Sequence, residues 1–190
     1  MTANPWDRPS QVHPGTEDGR LIYTAVGRSL SIWEMVEERL SELFAFFVGA
    51  VDGNSFDAAE PAIRAYGSVV SFGGRADMIA AAAEAYFHAR PTTPLSAEVK
   101  KMLDGPCRGF ASRRNEIAHG RVVTRMESGK PDSCHLYPGL FASKKYKVSG
   151  EPVYLYTADQ INEFGDRFGG LYETISDYLD RVLSWHSTLR

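Results

Sequence analysis

Apolar residues return every three or four positions along most of this chain, and that spacing predicts a mainly helical protein. From about Leu21 to Ala50, Ile32, Met35, Val36, Leu40, Leu43 and Phe47 share one face, while Glu34, Glu37, Glu38 and Glu42 point elsewhere. Asp52-Gly53-Asn54 carries turn chemistry and should end this helix. A second helix is expected over Phe56 to Val70, broken by Gly73-Gly74, and a third, Ala-rich one from Arg75 to Ala89, stopped by Pro91 and Pro94. Ser96 precedes a further helix with Val99, Met102 and Leu103 as apolar positions. Asp104-Gly105-Pro106 should interrupt it, since proline suits a helix start better than its interior. The next helix then runs from Pro106 to His119, with Gly120 as its stop.

The pattern changes over residues 121–157. Val122-Val123-Thr124, His135-Leu136-Tyr137 and Val153-Tyr154-Leu155-Tyr156 read as short strands. Ser128-Gly129-Lys130, Pro138-Gly139 and Ser149-Gly150 separate them as turns. The final helix is the clearest element. Ile161, Phe164, Phe168, Leu171, Ile175, Tyr178, Val182 and Trp185 keep helical spacing throughout, Thr157 is a good N-cap, and Gly165 and Gly169 would admit a neighbouring backbone. The expected architecture is a bundle of four or five helices over residues 21–187, forming one domain, with a small β insertion at 121–157 before the last helix. Residues 1–20, rich in Pro, Asp, Gly and Thr, are expected to form a loose, flexible extension.

The helix ending at His119 holds the candidate chemistry. At roughly 100° per residue, Arg108, Ser112, Asn115 and His119 fall on one polar stripe, with Phe110 and Ile117 on the opposite side. Arg114 sits roughly 100° from Asn115 and joins the stripe only by the reach of its side chain. Arg offers a planar fork of donors for a phosphate, imidazole exchanges a proton near neutrality, and Asn can orient either. That set can cut RNA without a metal.

Charge supports an anion partner locally but not globally. The net charge is −3. Residues 108–147 nevertheless hold nine basic side chains, among them Arg108, Arg121, Lys144, Lys145 and Lys147, against Glu116, Glu127 and Asp132. With Ser112, those five are the candidate RNA-binding residues. The two cysteines, Cys107 and Cys134, lack the spacing of a disulfide framework or a zinc site. No secretory signal is visible, and the longest apolar stretch, Leu43 to Val51, is too short to span a bilayer. The expected setting is the cytoplasm, with no membrane, metal or cofactor.

The run Arg114-Asn115-Glu116-Ile117-Ala118-His119 resembles the R-N-x-x-x-H signature of HEPN domains, helical modules of prokaryotic defence and toxin–antitoxin systems. The order of helices around it is similar over residues 21–187. The resemblance implies a homodimer in which two motif helices face each other across a composite ribonuclease cleft, with Arg114, Asn115 and His119 catalytic. It implies 2′-hydroxyl attack on the adjacent phosphate, leaving 2′,3′-cyclic phosphate and 5′-hydroxyl ends, and an antitoxin protein as a possible partner. One subgroup has a modifiable Tyr two residues after the His. Arg121 stands there in this chain, so the resemblance to that subgroup fails. Many HEPN domains bind nucleotide or RNA without cutting it. A dimerising binding module therefore stays open beside the ribonuclease, as does a purely structural role for Arg114 and His119.

Other patterns are weaker. Arg181 and His186 repeat the Arg–His spacing on the last helix without the Asn and read as packing and surface. Glu84 and His88 lie four apart but lack further metal ligands nearby. Arg75 could enter a shared cleft, although a helix-start surface residue is the simpler reading. Lys144-Lys145-Tyr146-Lys147 combines charge with an aromatic ring, as single-strand binders do. Neither a P-loop nor a Rossmann glycine fingerprint occurs, and no nucleophile-elbow motif suggests a Ser-His-Asp triad.

Overall fold

A computed structural model describes residues 4–9, 14–51, 57–127, 130–141, 143–147 and 149–189. The expected turn Asp52-Gly53-Asn54, the helix start at Phe56 and the turn residues Ser128-Gly129 lie outside the described residues. The protein is mainly helical, with one two-stranded sheet before the final helix. The helices are α1 (Gly19–Phe47), α2 (Glu60–Gly67), α3 (Phe72–Ala89), α4 (Thr93–Met102), α5 (Arg108–Ala118) and α6 (Ala158–Ser187), and the strands are β1 (Gly120–Glu127) and β2 (Lys130–Pro138). The chain groups into two compact units. One contains Met1–Trp33 and Ser112–Gly169, and the other Glu34–Ala111 and Gly170–Arg190.

Of two helix breaks expected from sequence, the first falls at residues 68–71, between α2 and α3 and just ahead of Gly73-Gly74, and the second does not occur. Gly73-Gly74 sits in the first turn of α3, where Ser71 caps the helix by accepting the Gly74 N–H at 3.1 Å. First-turn amides lack intrahelical partners in any case, so glycine is tolerated there. Asp104-Gly105-Pro106 falls within a π-helical turn, Leu103–Cys107, that joins α4 to α5. The Arg108 N–H donates to the Leu103 carbonyl, five residues back. The wider turn accommodates a residue with no N–H of its own, and the helix passes through. α3 ends at Ala89, ahead of Pro91 and Pro94 as expected, and Pro94 lies in the first turn of α4, where proline is pre-organised.

In the first unit, Ile22, Ala25 and Trp33 of α1 are buried, as are Ile117, Leu136, Tyr156, Ile161, Phe164 and Phe168. Trp33 meets Phe168 edge-on at 5.2 Å. On α1 it is Trp33 that enters the core rather than the expected Met35, which is 44% exposed. Gly165 is required by a close approach, since a Cβ there would lie 2.8 Å from the Ser29 hydroxyl, whereas Gly169 has nothing within 4 Å. Thr157 caps α6 as expected and forms a reciprocal box with Gln160, with N–H bonds of 3.3 and 3.0 Å. In the second unit, Val36, Leu40, Leu43, Tyr66, Ile79, Phe87, Val99, Leu103, Leu171, Ile175, Tyr178 and Val182 are all buried.

The sheet is an antiparallel hairpin that pairs Gly120 with Pro138, Val122 with Leu136 and Thr124 with Cys134. The third expected strand, 153–156, reduces to a single bridge between Tyr156 and Leu136. The ladder cannot grow in either direction. Thr16 already pairs with Cys134 on that edge, and Pro138 has no N–H to donate. Several described residues of the N-terminal segment make hydrogen bonds to the rest of this unit. Thr16 exchanges backbone bonds of 2.9 and 2.8 Å with Cys134, its hydroxyl accepts the Ala158 N–H at 3.0 Å, and the Pro5 carbonyl accepts from Arg167 at 2.6 Å. It lacks an apolar period because it contributes polar contacts to sheet and helix ends rather than a greasy face.

Candidate functional site

The end of α5 and the single residue between it and β1 carry the motif. Phe110, Ala111 and Ile117 are buried, while Ser112, Asn115 and His119 face solvent. Arg114 is half-buried, and its Nη1 donates to the Asn115 Oδ1 at 3.2 Å. The long side chain thus curls round to the stripe that its backbone position misses. His119 lies one residue past α5, and its N–H donates to the Asn115 carbonyl at 3.1 Å, the last helical bond. Its imidazole is exposed and makes no hydrogen bond or ion pair among the described residues. Gly120, expected as the stop of this helix, comes just past its end and is the first residue of β1. A Cβ there would fall 2.6 Å from Leu136 Cγ, so it is glycine for closeness rather than for turn geometry.

The residue between Asn115 and Ile117 was not singled out by sequence. Glu116 is 2% exposed. Its carboxylate accepts from Arg8 at 2.5 Å, Tyr156 at 2.6 Å and Lys145 at 2.9 Å, and pairs with Arg113 at 2.9 Å. Its backbone carbonyl accepts the Tyr154 hydroxyl at 3.2 Å, and the two tyrosine rings stack at 4.9 Å. Burial pushes the Glu116 carboxyl up. The bonds from Arg8, Tyr156 and Lys145, with the charge of Arg113, outweigh that and hold it below the ordinary glutamate range. Burial, aided by the Glu116 charge, raises both tyrosines, Tyr154 to about 12. The N-terminal segment, the segment after β2 and the residues leading into α6 therefore all fasten to the motif helix through one buried acid. An acid beside Ile117 with Arg113 three residues earlier is a faint sequence trace of this arrangement.

The hub divides the expected RNA-binding residues. Lys145 is held by Glu116, and Lys147 pairs with Glu151 at 3.0 Å. Tyr146, the aromatic member of that run, donates to the Pro138 carbonyl at 3.0 Å. Arg108 belongs to the other unit, where it pairs with Asp77 at 2.5 Å and Asp104 at 3.8 Å. Arg121 and Lys144 are exposed and have no ion-pair partner among the described residues. Arg121 lies on β1 opposite Tyr137, next to the motif's end. The structure thus brings Arg114, Asn115, His119 and Arg121 into one stretch of surface chain, with Ser112 one turn earlier on the same helix face.

Outside the motif, Arg75 is partly buried rather than a simple surface residue. It pairs with Glu37 at 2.9 Å and lies over the Tyr66 ring. Arg181 pairs with Glu98, and His186 meets the Tyr86 hydroxyl at 2.6 Å, as packing and surface residues would. Glu84 and His88 line a cavity of about 600 Å³ between α3 and α4, whose lining includes none of residues 112–121. Among the described residues no cluster of three or more His, Cys, Asp or Glu could hold a metal ion, and no helix is long and apolar enough to cross a membrane. Both cysteines are buried and unpaired with one another, and burial raises the Cys107 thiol to about 12. No protein-family model, curated protein or solved structure matches this chain.

Proposed function

We propose that this protein is a metal-independent endoribonuclease of HEPN type, with Arg114, Asn115 and His119 as its reacting set. The observation that carries the reading is the exposed, unengaged imidazole of His119, one turn beyond an Asn115 that already holds the Arg114 guanidinium. In the proposed reaction His119 takes the proton of the 2′-hydroxyl, or gives one to the departing 5′-oxygen. The 2′-oxygen bonds to phosphorus as the P–O5′ bond breaks, leaving a 2′,3′-cyclic phosphate and a 5′-hydroxyl. Arg114 offsets charge building on the non-bridging oxygens. Asn115 orients the guanidinium. Arg121 and Lys144 attract the flanking phosphates.

One imidazole supplies one proton-transfer group, and a full acid–base pair needs two. That motivates a homodimer with its two-fold axis near α5. The same fact favours the second reading, in which a single copy binds nucleotide or RNA without turnover. A role in prokaryotic defence, with an antitoxin as partner, follows from the resemblance alone. The deciding experiment incubates purified protein with RNA in EDTA and examines the product ends. Cyclic phosphate termini that vanish in His119→Ala establish the enzyme, whereas binding without cleavage establishes the module.

A further inference from the structure

We infer that Phe141 is a stacking platform for an unpaired nucleobase beside the scissile phosphate, so that the substrate of this site is single-stranded RNA. This rests on the reading of Arg114–His119 as an RNA site and adds to it a residue and a substrate class. The hairpin register provides the juxtaposition. Gly120 follows His119 directly and pairs with Pro138, so the ladder returns the chain to the end of the motif helix just before Leu140-Phe141. Gly139 is wedged between the two. A Cβ on it would lie 2.9 Å from the Phe141 ring and 3.4 Å from the His119 carbonyl oxygen.

Phe141 nevertheless faces water. It is 87% exposed, the most exposed phenylalanine of the described chain, and Leu140 beside it is 70% exposed. Its ring has no aromatic or cationic neighbour among the described residues. Lys144 follows it three residues on, and Arg121 stands across the hairpin from Tyr137; both are exposed and have no ion-pair partner among the described residues, while Glu116 is buried and saturated. Two contiguous apolar residues among cations make a small patch for a protein interface, which is larger and depleted of Lys. A lone ring beside phosphate-binding cations is how proteins hold single strands, because every base offers a π-face once it leaves the helical stack. A base paired within a duplex cannot present that face. Sequence reading placed the aromatic of this region at Tyr146, whose hydroxyl is turned onto Pro138.

The test uses the full-length protein and a short 2′-O-methyl single strand containing 2-aminopurine. That strand cannot undergo 2′-hydroxyl attack, so binding is read apart from cleavage. The expected result is tight binding with a change in 2-aminopurine emission, and weaker binding of a duplex of the same composition. Phe141→Ala should weaken single-strand binding by about ten-fold and abolish the emission change, with an unaltered salt slope, since no phosphate contact is lost. Phe141→Trp should retain both, and Phe141→Leu, apolar but without a π-face, should behave like the alanine variant. Thermal melts should be unchanged throughout, because the ring is exposed.

Wild-type affinity in Phe141→Ala or in Phe141→Leu overturns the inference, as does absence of single-strand binding or equal affinity for the duplex. Loss of self-association in Phe141→Ala with RNA affinity intact assigns the patch to a protein contact instead. The two readings separate cleanly. Phe141-dependent stacking without cleavage of ordinary RNA leaves this inference standing and removes the ribonuclease. His119-dependent cleavage unaffected by Phe141→Ala does the reverse.

Discussion

Tyr156 donates its hydroxyl to the Glu116 carboxylate at 2.6 Å, from forty residues further along the chain. That bond ties the approach to α6 to the middle of the motif helix, and Arg8, Arg113 and Lys145 converge on the same acid. The motif helix is thus fixed by a buried charge on one flank while it exposes Asn115 and His119 on another.

Removing that acid leaves several donors facing an empty site. Glu116→Ala should therefore cost about 3 kcal/mol, the lower end for breaking a buried ion pair, because Arg8 and Lys145 keep access to water. Glu116→Gln should cost less. The pH dependence gives a sharper sign. The folded carboxyl titrates below its unfolded value. Its stabilisation is complete above the ordinary glutamate value of about 4.3 and is lost as pH falls through the lower folded value. Thermal melts from pH 7 down to pH 3 should show wild type losing its advantage over Glu116→Gln within that acid range. A constant difference across the range excludes a perturbed Glu116.

The basic run after β2 should split by function. Lys145→Ala removes a charged hydrogen bond to a buried acid and should lower stability by about 1–2 kcal/mol. Lys144→Ala removes no ion pair seen among the described residues and should leave the melt unchanged while weakening RNA binding and flattening its salt dependence. A thermal melt and a salt titration of each variant distinguish the two roles.

Gly120→Ala should destabilise the protein by about 1–3 kcal/mol, since the new methyl meets the buried Leu136 at 2.6 Å with no room to retreat. The denaturant midpoint reads this directly. An unchanged midpoint shows that β1 and β2 can separate at their start.

These positions also show what the sequence discloses and what it hides. Helical periodicity located α1 and α6, alanine richness between glycine and proline located α3, and the opposed faces of α5 were legible because Phe110 and Ile117 sit across the helix from Asn115 and His119. The capping box at Thr157 and Gln160 was half visible as a single good N-cap. Pro106 misled because a proline reads as a break, and only its neighbours decide whether a wider turn lets the helix continue. Gly120 was legible as a helix stop, but its closeness to Leu136 was not. Glu116 was invisible because its partners come from residues 8, 145 and 156, and no local pattern announces contacts of that range. The bridge from Thr16 to Cys134, which holds the N-terminal segment and blocks a third strand, is hidden for the same reason.

His119→Ala should remove RNA cleavage while leaving the fold intact. The ring is exposed and has no hydrogen-bond or ion-pair partner among the described residues, so its loss should open no cavity and strand no buried partner. The melt should stay within about 0.5 kcal/mol of wild type, as for an ordinary surface substitution. Loss of a general acid–base group should reduce the rate by about 10²–10⁴-fold. Arg114→Lys should fail as well, because an ammonium cannot reproduce the planar fork that meets both Asn115 and a phosphate. Asn115→Ala should be milder, since it frees the guanidinium without deleting it. Cleavage by wild type should persist in EDTA. Digestion of RNA with wild type and each variant, with melts alongside, sorts the readings. Full activity in His119→Ala defeats the enzyme, and collapse of that variant's fold assigns His119 a structural role. Intact RNA bound by wild type, with affinity that still depends on Arg114, assigns the site to recognition alone.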